Sequence, residues 1–334
     1  MTMVPVEGQC LFHWHCKLMG LKGRHSMNIV PMNPRHLGIL TLITLAYGAP
    51  GLADGYEFRR IAPPNSIEAE AHGINARGVI VGKYVDSHGV SHGFRWYREE
   101  YSTIDVPDGA RTLAARGINA RGDIVGNFLD HNSVTHGYLL SDGRFRQIDY
   151  PGASATLVEE INNAGDITGA WVNTRGEGSG FIRRPGGKFF DVSVPGAFSE
   201  HVRAAQDNGR VLVGTLGMKW DGGARGFIRH KPAEYELVEF PGLAVPCSGL
   251  RYINQRGDIL GGYAIVSSVE NCYPPYEEQR PHGFLLRGGD FTVLEDFPGS
   301  SSTEHMNIND DGVIIGRYIN SQGRTWGFRA TPKP

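Results

Sequence analysis

Residues 73–84 read GINARGVIVGKY, and the phrase returns five times along the chain. The later copies are GINARGDIVGNF (117–128), EINNAGDITGAW (160–171), AAQDNGRVLVGTL (204–216), YINQRGDILGGY (252–263) and NINDDGVIIGRY (307–318). The turn glycines Gly78, Gly122, Gly165, Gly209, Gly257 and Gly312 are separated by 44, 43, 44, 48 and 55 residues. Six in-phase copies at that period define a repeat architecture, and the repeat decides the fold before any single strand does.

Each copy continues alike. A hairpin leads to His92-Gly93-Phe94, His136-Gly137-Tyr138, Ser179-Gly180-Phe181, Arg225-Gly226-Phe227, His282-Gly283-Phe284 and Trp326-Gly327-Phe328. A fourth apolar stretch then closes on Pro, as IDVP (104–107), IDYP (148–151), VSVP (192–195), VEFP (238–241) and EDFP (295–298). The runs are short, rich in Val, Ile, Phe and Tyr, and bounded by Gly, Asn, Asp and Pro, which marks strands. In the INxxG step Asn bonds the backbone two residues on, and Gly takes the left-handed position. Four strands in about 44 residues make one propeller blade. No sustained helical period appears, which excludes an alternating α/β fold.

The two ends supply the closure. The sixth copy stops after its third strand, Gly327 to Ala330, while Tyr56 to Ile61 stands as an orphan fourth strand before the first copy. Pairing the two completes the last blade and removes the open edge of an unclosed array. The reading is an all-β, six-bladed β-propeller of four-stranded blades over residues 54–334. A linear solenoid would have no use for a strand divided between the termini.

Residues 1–53 read as a leader. Arg35 and His36 precede an apolar core at 37–46, and Gly51-Leu52-Ala53 forms a small-x-small site, so cleavage is predicted after Ala53. The core is too short to span a bilayer well. Cys10, His13, His15 and Cys16 have the makings of a metal site but fall in this leader, and no metal or other cofactor is expected. Of the 33 basic and 35 acidic residues, four and one lie in the leader, which leaves 29 against 34. The modest negative charge gives no push toward nucleic acid. Cys247 and Cys272 remain, and two cysteines in an exported chain most simply form one disulfide.

The GINxxGxIVGxY, HGF and IDxPGA elements resemble the extracellular repeats named HAF after a His-Ala-Phe triplet. The resemblance covers residues 56–328. This chain has Gly where that name has Ala, and three copies lack the His. The resemblance implies a repeat fold and export, to a periplasm or beyond, and implies no reaction.

Most repeated residues read as structural. Asn75, Asn119, Asn162, Asn254 and Asn309, with Gln206 in the fourth copy, sit where a turn needs them. The HGF histidines lie in separate blades and pair by default with nearby groups such as Asp105 or Asp149. Asn307 to Gly312 lacks the ligand spacing of a calcium loop. Function is expected where the copies differ. In blade five the step from the IVG glycine to the HGF glycine is 22 residues, against 11 in four copies and 12 in the fourth. The loop entering the first strand and the loop joining the second to the third share one face of a blade, so Cys247 and Cys272 can meet. Their disulfide would hold an insert bearing Tyr273 and Tyr276, a rigid aromatic contact surface.

The second divergent place is the start of the innermost strand. Two residues before the IN isoleucine position stand His72, Arg116, Glu159, Arg203, Arg251 and Met306, with Glu70, Glu160, Glu200, His201, Glu304 and His305 nearby. Three Arg and a His at one channel mouth suit an anionic group, because Arg forks match carboxylate and phosphate. The expectation is a binding module for a glycan, an anionic ligand or a protein. The alternatives are a polysaccharide hydrolase or lyase using Glu159, His201, Glu304 or His305, and a passive scaffold. No GxSxG, HExxH or phosphate-binding loop is present.

Overall fold

The structure, a computed structural model, describes residues 51–52, 55–107, 111–219, 221–272 and 281–333. Six four-stranded antiparallel blades follow one another around an axis. Blade one runs Ser66–Ile74, Ile80–Asp86, Ser91–Tyr97 and Glu100–Ile104, innermost strand first, and blades two to five repeat that order. Blade six takes Ser302–Ile308, Ile314–Ile319 and Thr325–Pro332 from the C-terminal end and Tyr56–Ile61 from the N-terminal end. Tyr56–Ile61 pairs in register from Tyr56 opposite Pro332 to Ile61 opposite Gly327. The split strand therefore closes the ring as the sequence requires. Gly51–Leu52 adds a short parallel pairing to the outer strand of blade five. The apolar segment 37–46 and the cleavage position Ala53 lie outside the described residues. Among the described residues no helix is long and apolar enough to cross a membrane.

The two glycines of each repeat have different physical causes. Gly82, Gly126, Gly169, Gly214, Gly261 and Gly316 each stand opposite the buried aromatic of the next strand: Phe94, Tyr138, Phe181, Phe227, Phe284 and Phe328. A Cβ on Gly261 would come within 2.1 Å of the Phe284 ring, so the glycine makes room for the ring that covers it. The HGF glycine instead lets the neighbouring blade approach: a Cβ on Gly180 would meet Val202 at 2.6 Å, and one on Gly226 would meet Leu250 at 2.5 Å. The aromatics are at most 1% exposed and fill the spaces between blades, where burial supplies most of the folding free energy.

A belt of side-chain amides ties the blades together on one face. Asn75 Oδ1 accepts the backbone N–H groups of Arg77 and Val79, which fixes its turn. Its Nδ2 donates to the Asn119 carbonyl of blade two at 3.0 Å. The same donation runs from Asn119 to Asn162, Asn162 to Gln206, Gln206 to Asn254, Asn254 to Asn309 and Asn309 back to Asn75. The turn residue of the sequence reading is thus also the tie between neighbours. Gln206 keeps the link to Asn254 with its longer side chain, at 3.0 Å.

Candidate functional site: the axial mouth

Every innermost strand breaks register near its C-terminal end, and the residues skipped there are His72, Arg116, Glu159, Arg203, Arg251 and Met306; blades one, two and four break register a second time further upstream. A bulge leaves its extra residue out of the ladder and re-aims its side chain. All six line one axial pocket of about 330 Å³, its open side included, together with Glu160, Tyr252 and Asn307. The structure thus gathers five blades' ionisable side chains, and Met306 of the sixth, around the axis; they lie near the end of each innermost strand and not at its start, where the sequence reading put them, because that strand begins well upstream of the IN step.

These side chains join in a run of ion pairs. Arg203 Nη1 lies 2.8 Å from Glu159, which also pairs with Arg116. Arg116 Nη1 donates to His72 Nδ1 at 3.0 Å, and His72 Nε2 faces Glu70 at 3.4 Å. Glu70 meets Lys83 at 3.2 Å and Arg317 at 3.3 Å; Arg317 reaches Glu304 at 2.6 Å, and Glu304 pairs with Arg251. The run passes through blades four, three, two, one, six and five. Its two ends, Arg203 and Arg251, are neighbours in the ring and carry the same charge.

Burial opposes ionisation here, and the surrounding cations decide the outcome. It works to raise the carboxyls of Glu70, Glu159 and Glu304. Lys83 and Arg317 hold Glu70 well below the usual range, Arg116 and Arg203 do so for Glu159, and Arg251 and Arg317 bring Glu304 to about 2. Burial lowers His72 to about 4, with Arg116 adding to the effect, so it is neutral. Glu160 has no such cation in contact, and burial pushes it up to about 8 although Ile161 N–H and Asn307 Nδ2 donate to it. Among the described residues the lining places the guanidinium groups of Arg116, Arg203 and Arg251 beside the carboxyls of Glu159 and Glu160.

Glu160 and Asn307 close the waist of the channel. Asn307 Nδ2 of blade six donates across the axis to Glu160 Oε2 of blade three at 2.8 Å. Glu160 lies over Gly117, where a Cβ would fall 2.2 Å from its Oε1. Tyr252 borders this mouth and also the opposite vestibule beside the amide belt. Sequence reasoning placed Glu160 merely near the mouth and missed Asn307, Tyr252, Lys83 and Arg317. The signal was present: the column just after the bulge reads Gly73, Gly117, Glu160, Ala204, Tyr252 and Asn307, and is as variable as the bulge itself.

The other candidates are used elsewhere. His201 stands 3.9 Å from Glu159. Glu200 accepts the Val194 N–H at 3.1 Å, the place where Thr112, Thr156, Ser248 and Thr303 clamp the equivalent loops, and burial pushes it up to about 7. His305 packs against Gly283 of blade five, and burial lowers it to about 4. His92 and His136 meet Asp105 and Asp149 at 2.9 and 2.6 Å and stack on Tyr84 and Phe128, so their role is structural. Cys247 and Cys272 form the disulfide, with Cα atoms 5.5 Å apart. The half-cystines pack with Ala224 of blade four and Ala264. Tyr273 and Tyr276 lie outside the described residues.

The fold and its mouth define a six-bladed β-propeller with an arginine-lined axial pocket. No protein-family model matches the chain, and no curated protein does. Among solved structures the chain is similar to AofleA from Arthrobotrys oligospora, with a TM-score of 0.50 and 12% identity over 83% of this chain and 87% of that one. It is similar to Trypanosoma rangeli sialidase at 0.50 and 10%, over 84% of this chain and 60% of that one. A gluconolactonase from Xanthomonas campestris gives 0.48 and 11%, over 87% and 99%. At these identities the likeness shows the fold alone.

Proposed function

We propose that this chain is an exported binding propeller of the HAF-repeat type that holds an anionic group of a glycan at its axial mouth. The observation that carries the reading is a convergence: three arginines on bulges of three blades line one recessed axial pocket, with the carboxyls of Glu159 and Glu160 beside them. Guanidinium forks gathered in a recessed pocket match the geometry of a carboxylate or similar oxyanion. Export is supported by the Cys247–Cys272 disulfide, which persists in oxidising compartments, and by the leader read at 1–53.

The hydrolytic reading has one observation in its favour. Glu159 and Glu160 stand side by side in the lining, with carboxyls pushed in opposite directions, as acid and base pairs often are. Both are already engaged, however: Glu159 by Arg116 and Arg203, Glu160 by Asn307 and Ile161 N–H. Binding is therefore the stronger reading.

Calorimetric titration of the purified protein against carboxylated, sulfated and neutral glycans tests it. Acidic members should bind, with affinity falling as salt rises, and leave the calorimeter cell chemically unchanged. Equal binding of neutral glycans, or none at all, would remove the anion site. Release of product would put the hydrolytic reading first.

A further inference from the structure

The outer hairpins, which join the third strand of each blade to the fourth, are not alike in charge. In blade four Lys231 pairs with Glu234 at 3.2 Å and His230 with Glu236 at 3.3 Å. In blade five Arg287 pairs with Asp258 at 2.9 Å, and in blade one Glu99 and Glu100 follow Arg98. Blades two and three depart from this balance. Their hairpins, SDGRFRQ (141–147) and RRPGGKFF (183–190), hold five basic residues and one acidic one, Asp142. Arg184 pairs with Asp166. The other four, Arg144, Arg146, Arg183 and Lys188, make no ion pair among the described residues.

Aromatic rings stand where the carboxylates are missing. Arg183 Cζ lies 5.7 Å from the centre of the Phe189 ring, and Lys188 Nζ 4.8 Å from that of Phe190, both within cation–π reach. The two hairpins border one seam between blades. Arg146 stands opposite Leu139 in blade two, and Arg183 opposite Phe189 in blade three. Leu139 and Phe189 pack against the same core cluster, and Tyr150 of blade two meets Phe189 at 5.2 Å. Arg144 shares the side of Arg146, two residues along the strand. Asp191, two residues beyond Phe189, accepts from Tyr150 Oη at 2.8 Å and Trp171 Nε1 at 3.0 Å. Phe190 stands opposite Ile182 and is 42% exposed.

Residues 54–334 hold 29 basic side chains against 34 acidic ones, so this cluster runs against the charge of the molecule as a whole. A basic patch is drawn to an anionic surface, and the rings choose among such surfaces. A soluble acidic polymer would meet the charges and leave Phe190 in water. The interface of a bilayer offers lipid phosphate to the cations and an apolar layer to the ring just beneath. We propose that the outer rim of blades two and three is a docking surface for an anionic lipid bilayer, with Arg144, Arg146, Arg183 and Lys188 on the headgroups and Phe190 entering between them. The cations act through their summed field, so docking depends on their gathering on one rim and not on a fixed spacing. The rim belongs to the outer strands and owes nothing to the axial mouth.

The test is co-sedimentation of the protein with vesicles of phosphatidylcholine, pure or mixed with phosphatidylglycerol. The mixed vesicles should bind the protein and the pure ones should not, and binding should fall as salt rises. Arg144→Gln combined with Arg146→Gln should weaken it by about tenfold or more, and Phe190→Ala by about threefold. Lys231→Gln removes a paired cation from blade four and should stay within about twofold of wild type. If Phe190→Ala binds as wild type does, charge alone is read; that result assigns the rim to acidic polymers and overturns the bilayer. Equal binding of pure phosphatidylcholine, no binding to either vesicle, or a loss in Lys231→Gln as large as in the double variant removes the rim as a docking surface. Melting curves of each variant keep lost binding apart from lost fold.

Discussion

The propeller carries two belts around its axis, an ionic one at the bulge of each innermost strand and an amide one in the turn that follows it, and they obey different rules. The amide belt of Asn75, Asn119, Asn162, Gln206, Asn254 and Asn309 is neutral, closes on itself and changes in only one copy. The ionic run through Arg203, Glu159, Arg116, His72, Glu70, Arg317, Glu304 and Arg251 changes its residue type from copy to copy, with Arg in three of the six bulges. A neutral belt that meets all its own needs holds a ring together. A charged one whose residues vary, lining a recessed pocket, is where the proposed binding site lies. Position in the repeat does not separate them, since Arg251 and Asn254 stand three residues apart on the same blade.

The strongest way to break the comparison is to sever both belts at once. The seam between blades six and one is crossed by Asn309 to Asn75 and by Arg317 to Glu70. Removing Tyr56–Ile61 strips the outer strand from blade six, with its buried Ile61. The loss should approach a domain's whole stability, about 5–15 kcal/mol. Circular dichroism on heating should show no cooperative transition; a truncated protein that melts like wild type contradicts the closure.

A second prediction concerns the residue between the belts. Glu160 is raised to about 8 from an ordinary value of 4.5, so over that interval the folded protein keeps a proton that the unfolded chain releases. Stability from this group is complete below the unfolded value and is lost as pH rises through about 8. Glu200, raised to about 7, acts in the same direction. Chemical denaturation from pH 7 to 9, above the range in which the lowered His72 and His305 act in the opposite sense, should show falling stability, by on the order of 1 kcal/mol, and Glu160→Gln should flatten the slope. A wild-type protein that gains stability over this range refutes the assignment.

Smaller effects sharpen the contrast. Asn162→Ala removes the ties to Asp166 N–H and to the Gln206 carbonyl and should cost roughly 2 kcal/mol, measured as a lower denaturation midpoint. Cys247→Ser touches neither belt. Loop closure over 25 residues is worth at most about 3 kcal/mol, and the ring stands without it. The variant should melt within a few degrees of wild type and gain protease cuts near residue 272. Global unfolding would show that the staple holds more than its own loop.

The fold was legible because the repeat states it six times, and the split blade because one strand is missing at one end and spare at the other. The disulfide followed from two long loops on one face of one blade. The mouth was legible in its bulge column, where Arg, Glu, His and Met replace one another in otherwise parallel copies. What the sequence could not give was the pairing. Arg317 and Lys83 follow the IVG glycine on the second strand and reach the axis through Glu70 and Glu304, a contact between strands that linear spacing does not encode. The amide belt was read only as turn chemistry, since a donor that crosses from blade to blade leaves no mark within one copy.

The most direct test pairs Arg251→Ala with Asn254→Ala and follows melting temperature and affinity for an acidic glycan in both. The account predicts opposite outcomes: Asn254→Ala melts several degrees lower and keeps its affinity, while Arg251→Ala melts near wild type and loses salt-sensitive binding. If Arg251→Ala unfolds the ring and wild type binds no anion, the ionic run is a second structural belt and the mouth is no binding site.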